Sequence, residues 1–203
     1  MIRIFSIFPD RLNLNGDAAN AMVLAKQLSW SNFAHEVVIV DSFDAIKEAV
    51  AQIAAGDSKA VLIFGHGSKA AVASLAEHRP ELQALANLCR RKKAVGLVVG
   101  SSLGLIQLEN ISLTTRRSEF VVAQQQDASW PSEALGYLNS DLDVQPLEID
   151  GWLIQTTLHG PFLAKNGAWT RAILERVGAR LDLANQERIE AFEAKVWQLE
   201  AGA

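Results

Sequence analysis

Apolar positions in the first hundred residues fall into short continuous runs separated by stretches of helical spacing. IRIFSIF (2–8), HEVVIVD (35–41), KAVLIFG (59–65) and KAVGLVVG (93–100) are four such runs, rich in β-branched residues. Runs of this length bounded by Gly, Pro or Asp are expected for strands buried on both faces. Between them, a helix starting near Asp17 carries Ala21, Leu24, Ala25 and Leu28 on one face. A second helix runs from about Phe43 to Ala55 and stops at Gly56. A third has Pro80 near its start and places Leu82, Leu85 and Cys89 on one side, so Cys89 is expected in the core. This alternation predicts an α/β fold of flavodoxin-like type, a mostly parallel central sheet flanked by helices on both faces.

The second half is less regular. EFVVAQQ (119–125), DVQPLEI (143–149) and GWLIQTTLH (151–159) read as strands, the last two joined by a tight turn at Asp150-Gly151. A helix over 163–179 and a polar helix over about 184–200 follow. The stretch 125–141, where Pro, Ser and Gly cluster, reads as a loop near the site. No repeat or low-complexity segment interrupts the chain. One domain over 1–203 is expected, with the last helix available to dock a partner.

Composition narrows the function classes. The 203 residues carry a formal net charge of −4, which argues against a nucleic-acid surface. The basic run Arg90-Arg91-Lys92-Lys93 closes a helix, where cations complement the negative end of the helix dipole. A single cysteine points to a reducing compartment, and a cytoplasmic location is expected. No apolar run approaches the ~18 residues needed to span a membrane. The four histidines lack metal-ligand spacing, with His35 and His78 expected at the surface. The G-x-x-x-x-G-K-[ST] fingerprint is missing, so neither metal nor cofactor is expected.

Candidate chemistry collects at strand carboxyl ends, where open α/β sheets place ligands. VVGSSLG (98–104) contains G-x-S-x-G with Ser102 at its centre, the pattern of an elbow that lifts a nucleophile into a cleft. The helix after it would aim backbone N–H groups, such as that of Leu103, at an anion forming there. His159, at the end of a strand in TTLHGPF, could leave the sheet at the same edge as a general base. Gly65, His66 and Gly67 form a glycine loop able to bring N–H groups to an oxyanion or carboxylate. An ordinary turn, a capping serine and a satisfied histidine are the plainer alternatives for each.

Three stretches in this order resemble the class I glutamine amidotransferase-like family of the cobyric acid synthase type. The similarity is greatest to glutaminase subunits of lipid II isoglutaminyl synthases. FPDRLNLNGDAANAMVLAKQL resembles their first loop and helix, LIFGHGSKA the oxyanion loop, and TTLHGPFLAKN the catalytic-histidine segment. The resemblance puts the family's nucleophilic cysteine at Ser102 and its usual glutamine at Ile106. His66 and Lys69 depart from the oxyanion loop, and Gly136-Tyr137-Leu138-Asn139-Ser140 lacks the family's histidine. A substrate-lining arginine falls on Arg116 or Arg117, and Pro161 matches the cobyric acid synthase branch.

The resemblance implies a glutaminase-type subunit that hydrolyses glutamine and passes ammonia to a Mur-ligase-like, ATP-dependent synthetase amidating lipid II. Ser102 and His159 would carry the reaction. A hydroxyl is far less acidic than a thiol and needs a well-oriented base, so Ser102 should be a poor nucleophile towards an amide. Two alternatives follow: a catalytically inactive scaffold of the same complex, or a Ser-His hydrolase or peptidase. The hydrolase needs an acid near His159, for which Glu148 and Asp150 are nearest in sequence.

Overall fold

The computed structural model describes residues 1–56, 59–107 and 111–201. Its central sheet has the order β2-β1-β3-β4-β8-β7. These strands are β1 (Ile2–Ile7), β2 (His35–Val40), β3 (Ala60–Phe64), β4 (Val95–Val99), β7 (Leu147–Asp150) and β8 (Leu153–Thr156). All neighbours are parallel except β7, which returns antiparallel to β8 through the Asp150-Gly151 turn. Gly151 has φ +68°, and a Cβ there would run into the Arg90 carbonyl, so the turn needs glycine.

Alternate residues of each strand feed two cores. Ile2, Ile4, Val61, Ile63, Val95, Leu97 and Val99 pack on one face, with Leu24 and Leu28 of α1 (Ala19–Trp30) and Trp169 and Ile173 of α7 (Gly167–Arg176). Phe5, Ile7, Leu62, Phe64 and Val98 pack on the other, against α2 (Phe43–Ala54) and α4 (Arg79–Arg90). Leu82, Leu85 and Cys89 of α4 are fully buried, as their spacing predicts. Each such aliphatic side chain contributes roughly 1.5–3 kcal/mol of burial. This is the α/β architecture expected from the apolar runs.

β2 departs from its expected burial. It is an edge strand whose Val37 and Ile39 are 43% and 50% exposed. The helix expected over 163–179 is two, α6 (Phe162–Lys165) and α7, broken at Asn166. α3 (Lys69–Ser74) and α5 (Leu103–Ile106) are short, and α8 (Leu183–Ala201) closes the chain near its expected limits.

The largest correction concerns 125–141. Residues Glu133–Leu142 form β6, not a loop, and the strand expected at 119–125 is the longer β5 (Leu113–Gln124). These two form an antiparallel hairpin, and β6 also pairs with β9 (Leu158–His159) in a second sheet of order β5-β6-β9. Gly, Asn, Ser and Asp in β6 hide a strand whose pairing is set by partners instead of its own propensity. The run read as one strand over 151–159 therefore serves two sheets, breaking at Thr157 between β8 and β9. Asn166 locks this junction: its amide bonds both the N–H and carbonyl of Leu135 in β6, and the carbonyl of Phe162.

Among the described residues no helix is long and apolar enough to cross a membrane, and no cluster of His, Cys, Asp and Glu could hold a metal.

Candidate functional site

A cavity of about 660 Å³ opens beyond the carboxyl ends of β1, β3 and β4, roofed by the hairpin. Asn15, His66, Gly67, Gly100, Ser101, Arg116, Asn139 and His159 line it. The chain moves outward from β1 to β2 and, in the other direction, to β3. That makes this end of the sheet its topological switch point.

The glycine loop after β3 is pressed against the segment after β1. A Cβ on Gly65 would overlap the Leu12 carbonyl, and one on Gly67 would lie 2.9 Å from the Arg11 carbonyl. Glycine is required at both for this approach. The His66 N–H donates to the Asp17 carboxylate at 3.0 Å, and the His66 carbonyl accepts from Leu14 N–H. Asp17 is fully buried, with one oxygen left without a partner; burial raises its pKa from 3.8 to about 6.

The elbow after β4 differs from its sequence reading. The first residue past the strand, Gly100, has φ +57°, the left-handed conformation that marks such a turn. A Cβ there would overlap the His66 ring and stand 3.2 Å from Cε1 of His159. Gly100 thus holds the place from which a side chain would meet the histidine. Ser102, two residues on, is fully buried and turned below the pocket, its hydroxyl donating to the Gly65 carbonyl at 2.5 Å. No hydrogen bond joins Ser102 to His159. Ser101 does reach the pocket, but its hydroxyl donates to the Gly67 carbonyl at 2.7 Å and accepts from the Gly67 N–H at 3.0 Å.

The N–H groups of His66, Gly67, Ser101 and Leu103 are engaged. Gly67 N–H is held by Ser101, His66 N–H by Asp17, and Ser101 N–H by Nδ1 of His66 at 3.0 Å. Leu103 N–H turns back to the Gly100 and Ser101 carbonyls, and the Leu103 side chain is buried. An oxyanion hole needs such donors aimed at the developing charge; here each serves the loop itself.

His159 stands at the cavity wall as its position in TTLHGPF suggested. The Asn15 side-chain amide donates to Nδ1 at 2.7 Å, and Nε2–H donates to the Asn139 carbonyl at 2.8 Å. These partners define a neutral ring protonated on Nε2. Burial is the main cause of its lowered pKa. His66 packs edge-on at 4.4 Å between ring centroids, with its own pKa lowered from 6.5 to about 4 by burial and then by His159. Neither proposed acid orients His159: Asp150 pairs with Arg90 at the opposite end of β8, and Glu148 sits in β7 opposite Gln155.

Arg116 reaches the cavity, bonding the Asn139 side chain at 3.1 Å and pairing with Asp141 at 3.5 Å. Arg117 instead pairs with Glu119 and is not in the cavity wall. Lys69 pairs with Asp141 at 3.8 Å, so Asp141 holds Arg116 within the hairpin and joins the hairpin to α3. The sole cysteine, Cys89, is buried in the α4 core, and burial pushes its thiol pKa up. Of the remaining histidines, His78 is half-buried and stacks on Phe8 and Phe43. His35 is half-buried beside the Phe33 carbonyl.

Asn15 and Asp17 carried no chemical signal in the sequence, and Gly100 entered only as the first glycine of G-x-S-x-G, not as the position facing His159. Only their place after β1 and β4, next to the expected site, could have drawn attention to them. The sequence matches no protein-family model and no curated protein.

Proposed function

We propose that this chain is a non-hydrolytic relative of the glutaminase subunits it resembles: a subunit that keeps the pocket and docks a Mur-ligase-like synthetase without releasing ammonia. The observation that carries this reading is Gly100. It occupies the elbow position facing His159 and brings neither thiol nor hydroxyl. Ser102, the candidate replacement, points into the protein. Hydrolysis of glutamine, or of an ester or peptide by a Ser-His pair, needs a nucleophile within hydrogen-bond reach of its base and free donors for the oxyanion. His66 fills the room in which the nucleophile's side chain would lie and engages the Ser101 N–H.

The pocket retains the means to bind. Arg116, Lys69 and Arg79 outnumber Asp141 among its charged lining residues, which suits an anionic group on a small ligand. Incubation with glutamine, alone and with the synthetase, should release no glutamate beyond a His159→Ala control. Ser102→Ala should stabilise the synthetase as well as wild type does. Glutamate release that depends on His159 would overturn this reading.

A further inference from the structure

β5 ends the second sheet with one long edge unpaired among the described residues. Apart from Val121 and Ala123, its residues from Leu113 to Gln124 are exposed, including Phe120 at 47% and Val122 at 43%. Exposed edges are usually blunted by charge, and β5 carries Arg116, Arg117 and Glu119. The order of these charges does more than repel. Two copies related by a two-fold axis normal to the sheet place residues of the same face opposite each other in antiparallel strands. With the axis at Ser118, Arg117 faces Glu119 of the second copy, and Glu119 faces its Arg117. Arg116 then faces Phe120, a cation opposite an aromatic ring, and the relation again occurs twice.

No neighbouring register does this. An axis at Arg116 or Arg117 sets an arginine against itself, and an axis at Glu119 opposes two carboxylates. An axis at Phe120 leaves Arg117 against Ala123 and Glu119 against Val121. Arg117 and Glu119 already pair within the strand at 2.9 Å, so their side chains share a face and are held ready for the same partners. Pairing between β5 and β6 is regular from Arg117 to Gln124, with the irregularity confined to the stretch between Leu113 and Arg117. The Arg117–Glu119 contact therefore starts from straight strand, while Arg116 lies at the edge of the irregular stretch.

We propose that β5 is a homodimer interface, where a second copy of this chain adds its β5 antiparallel about Ser118 and joins two three-stranded sheets into one of six. The Arg117–Glu119 pairs form a four-charge ring at its centre, and Phe120 is covered on each side. Because Arg116 also lines the cavity, the second copy would stand at the pocket's rim. This inference is independent of the proposed function.

Light scattering on the full chain after size exclusion tests it. Wild type should show twice the 22.1 kDa chain mass, falling towards monomer as salt rises. Arg117→Glu and Glu119→Arg should each be monomeric, since each opposes like charges. An equimolar mixture of the two variants should regain a dimer containing one copy of each, which also shows that both are folded. A wild type that stays monomeric up to about 500 µM, where even weak association registers, would overturn the proposal. So would a dimer that survives Arg117→Glu, or a mixture that remains monomeric.

Discussion

Replacing Gly100 with alanine tests the geometry on which the functional reading stands. At φ +57° an L-residue pays about 1–2 kcal/mol for the left-handed conformation. Alanine recovers about 0.4–1 kcal/mol by restricting the unfolded chain. The new methyl would also overlap the His66 ring, which must move. Overpacking of this kind costs roughly 1–3 kcal/mol. Displacing the ring also breaks the bond from Ser101 N–H to Nδ1, worth about 1 kcal/mol. Gly100→Ala should therefore destabilise by about 2–5 kcal/mol in urea unfolding. In a His66→Ala background the overlap is gone and only the backbone strain remains. The same substitution should then cost about 1 kcal/mol, giving a coupling energy of about 2–4 kcal/mol between the two sites. A cost below about 1 kcal/mol in wild type, or an equal cost in both backgrounds, would refute the argument that Gly100 and His66 share the nucleophile's space.

Other variants probe the same site and its support. The pair Gly100→Cys and His66→Ala should place a thiol in the cavity beside His159 that iodoacetamide alkylates in the native protein, while Cys89 reacts only on unfolding; resistance of the new thiol would place the elbow elsewhere. Asp17, raised from 3.8 to about 6, binds its proton more tightly when folded, so its term weakens the fold by about 3 kcal/mol as pH rises through that window. His66, lowered to about 4, acts oppositely and loses stability as pH falls from 6.5. His159, whose pKa is also lowered, adds to that loss. Asp17→Asn should therefore lose more stability than wild type between pH 6.5 and 4; an equal loss in urea unfolding of the two proteins would contradict this. Asn166→Ala removes three buried hydrogen bonds at the β6 junction and should cost about 3–4 kcal/mol, detected as a lower urea midpoint. A cost under about 1 kcal/mol would mean that the junction does not depend on this side chain.

The central sheet was legible because continuous apolar runs and helical spacing have different periods, and both are local properties. Ile4, Val61 and Leu97 announce a buried strand without reference to any distant residue. Their carboxyl ends in turn locate the loops where His66 and the 98–104 turn stand, and His159 was found from its place before Gly160-Pro161. β6 was missed because Gly136, Asn139, Ser140 and Asp141 read as a loop until β5 and β9 supply the hydrogen bonds that their propensity does not.

Which residue of Gly100-Ser101-Ser102 faces the cavity was a different kind of question. G-x-S-x-G named Ser102 by symmetry of spelling, yet the direction of each side chain follows from the dihedral angles at the end of β4. The left-handed turn at Gly100 points its missing Cβ towards His66 and His159, sends Ser101 to Gly67, and drops Ser102 onto the Gly65 carbonyl. Composition and periodicity determined the layers, the strands and the end of the sheet where a site could form. Only the tertiary structure decided which residue of its elbow faces His159, because that depends on contacts between loops 34 and 35 residues apart.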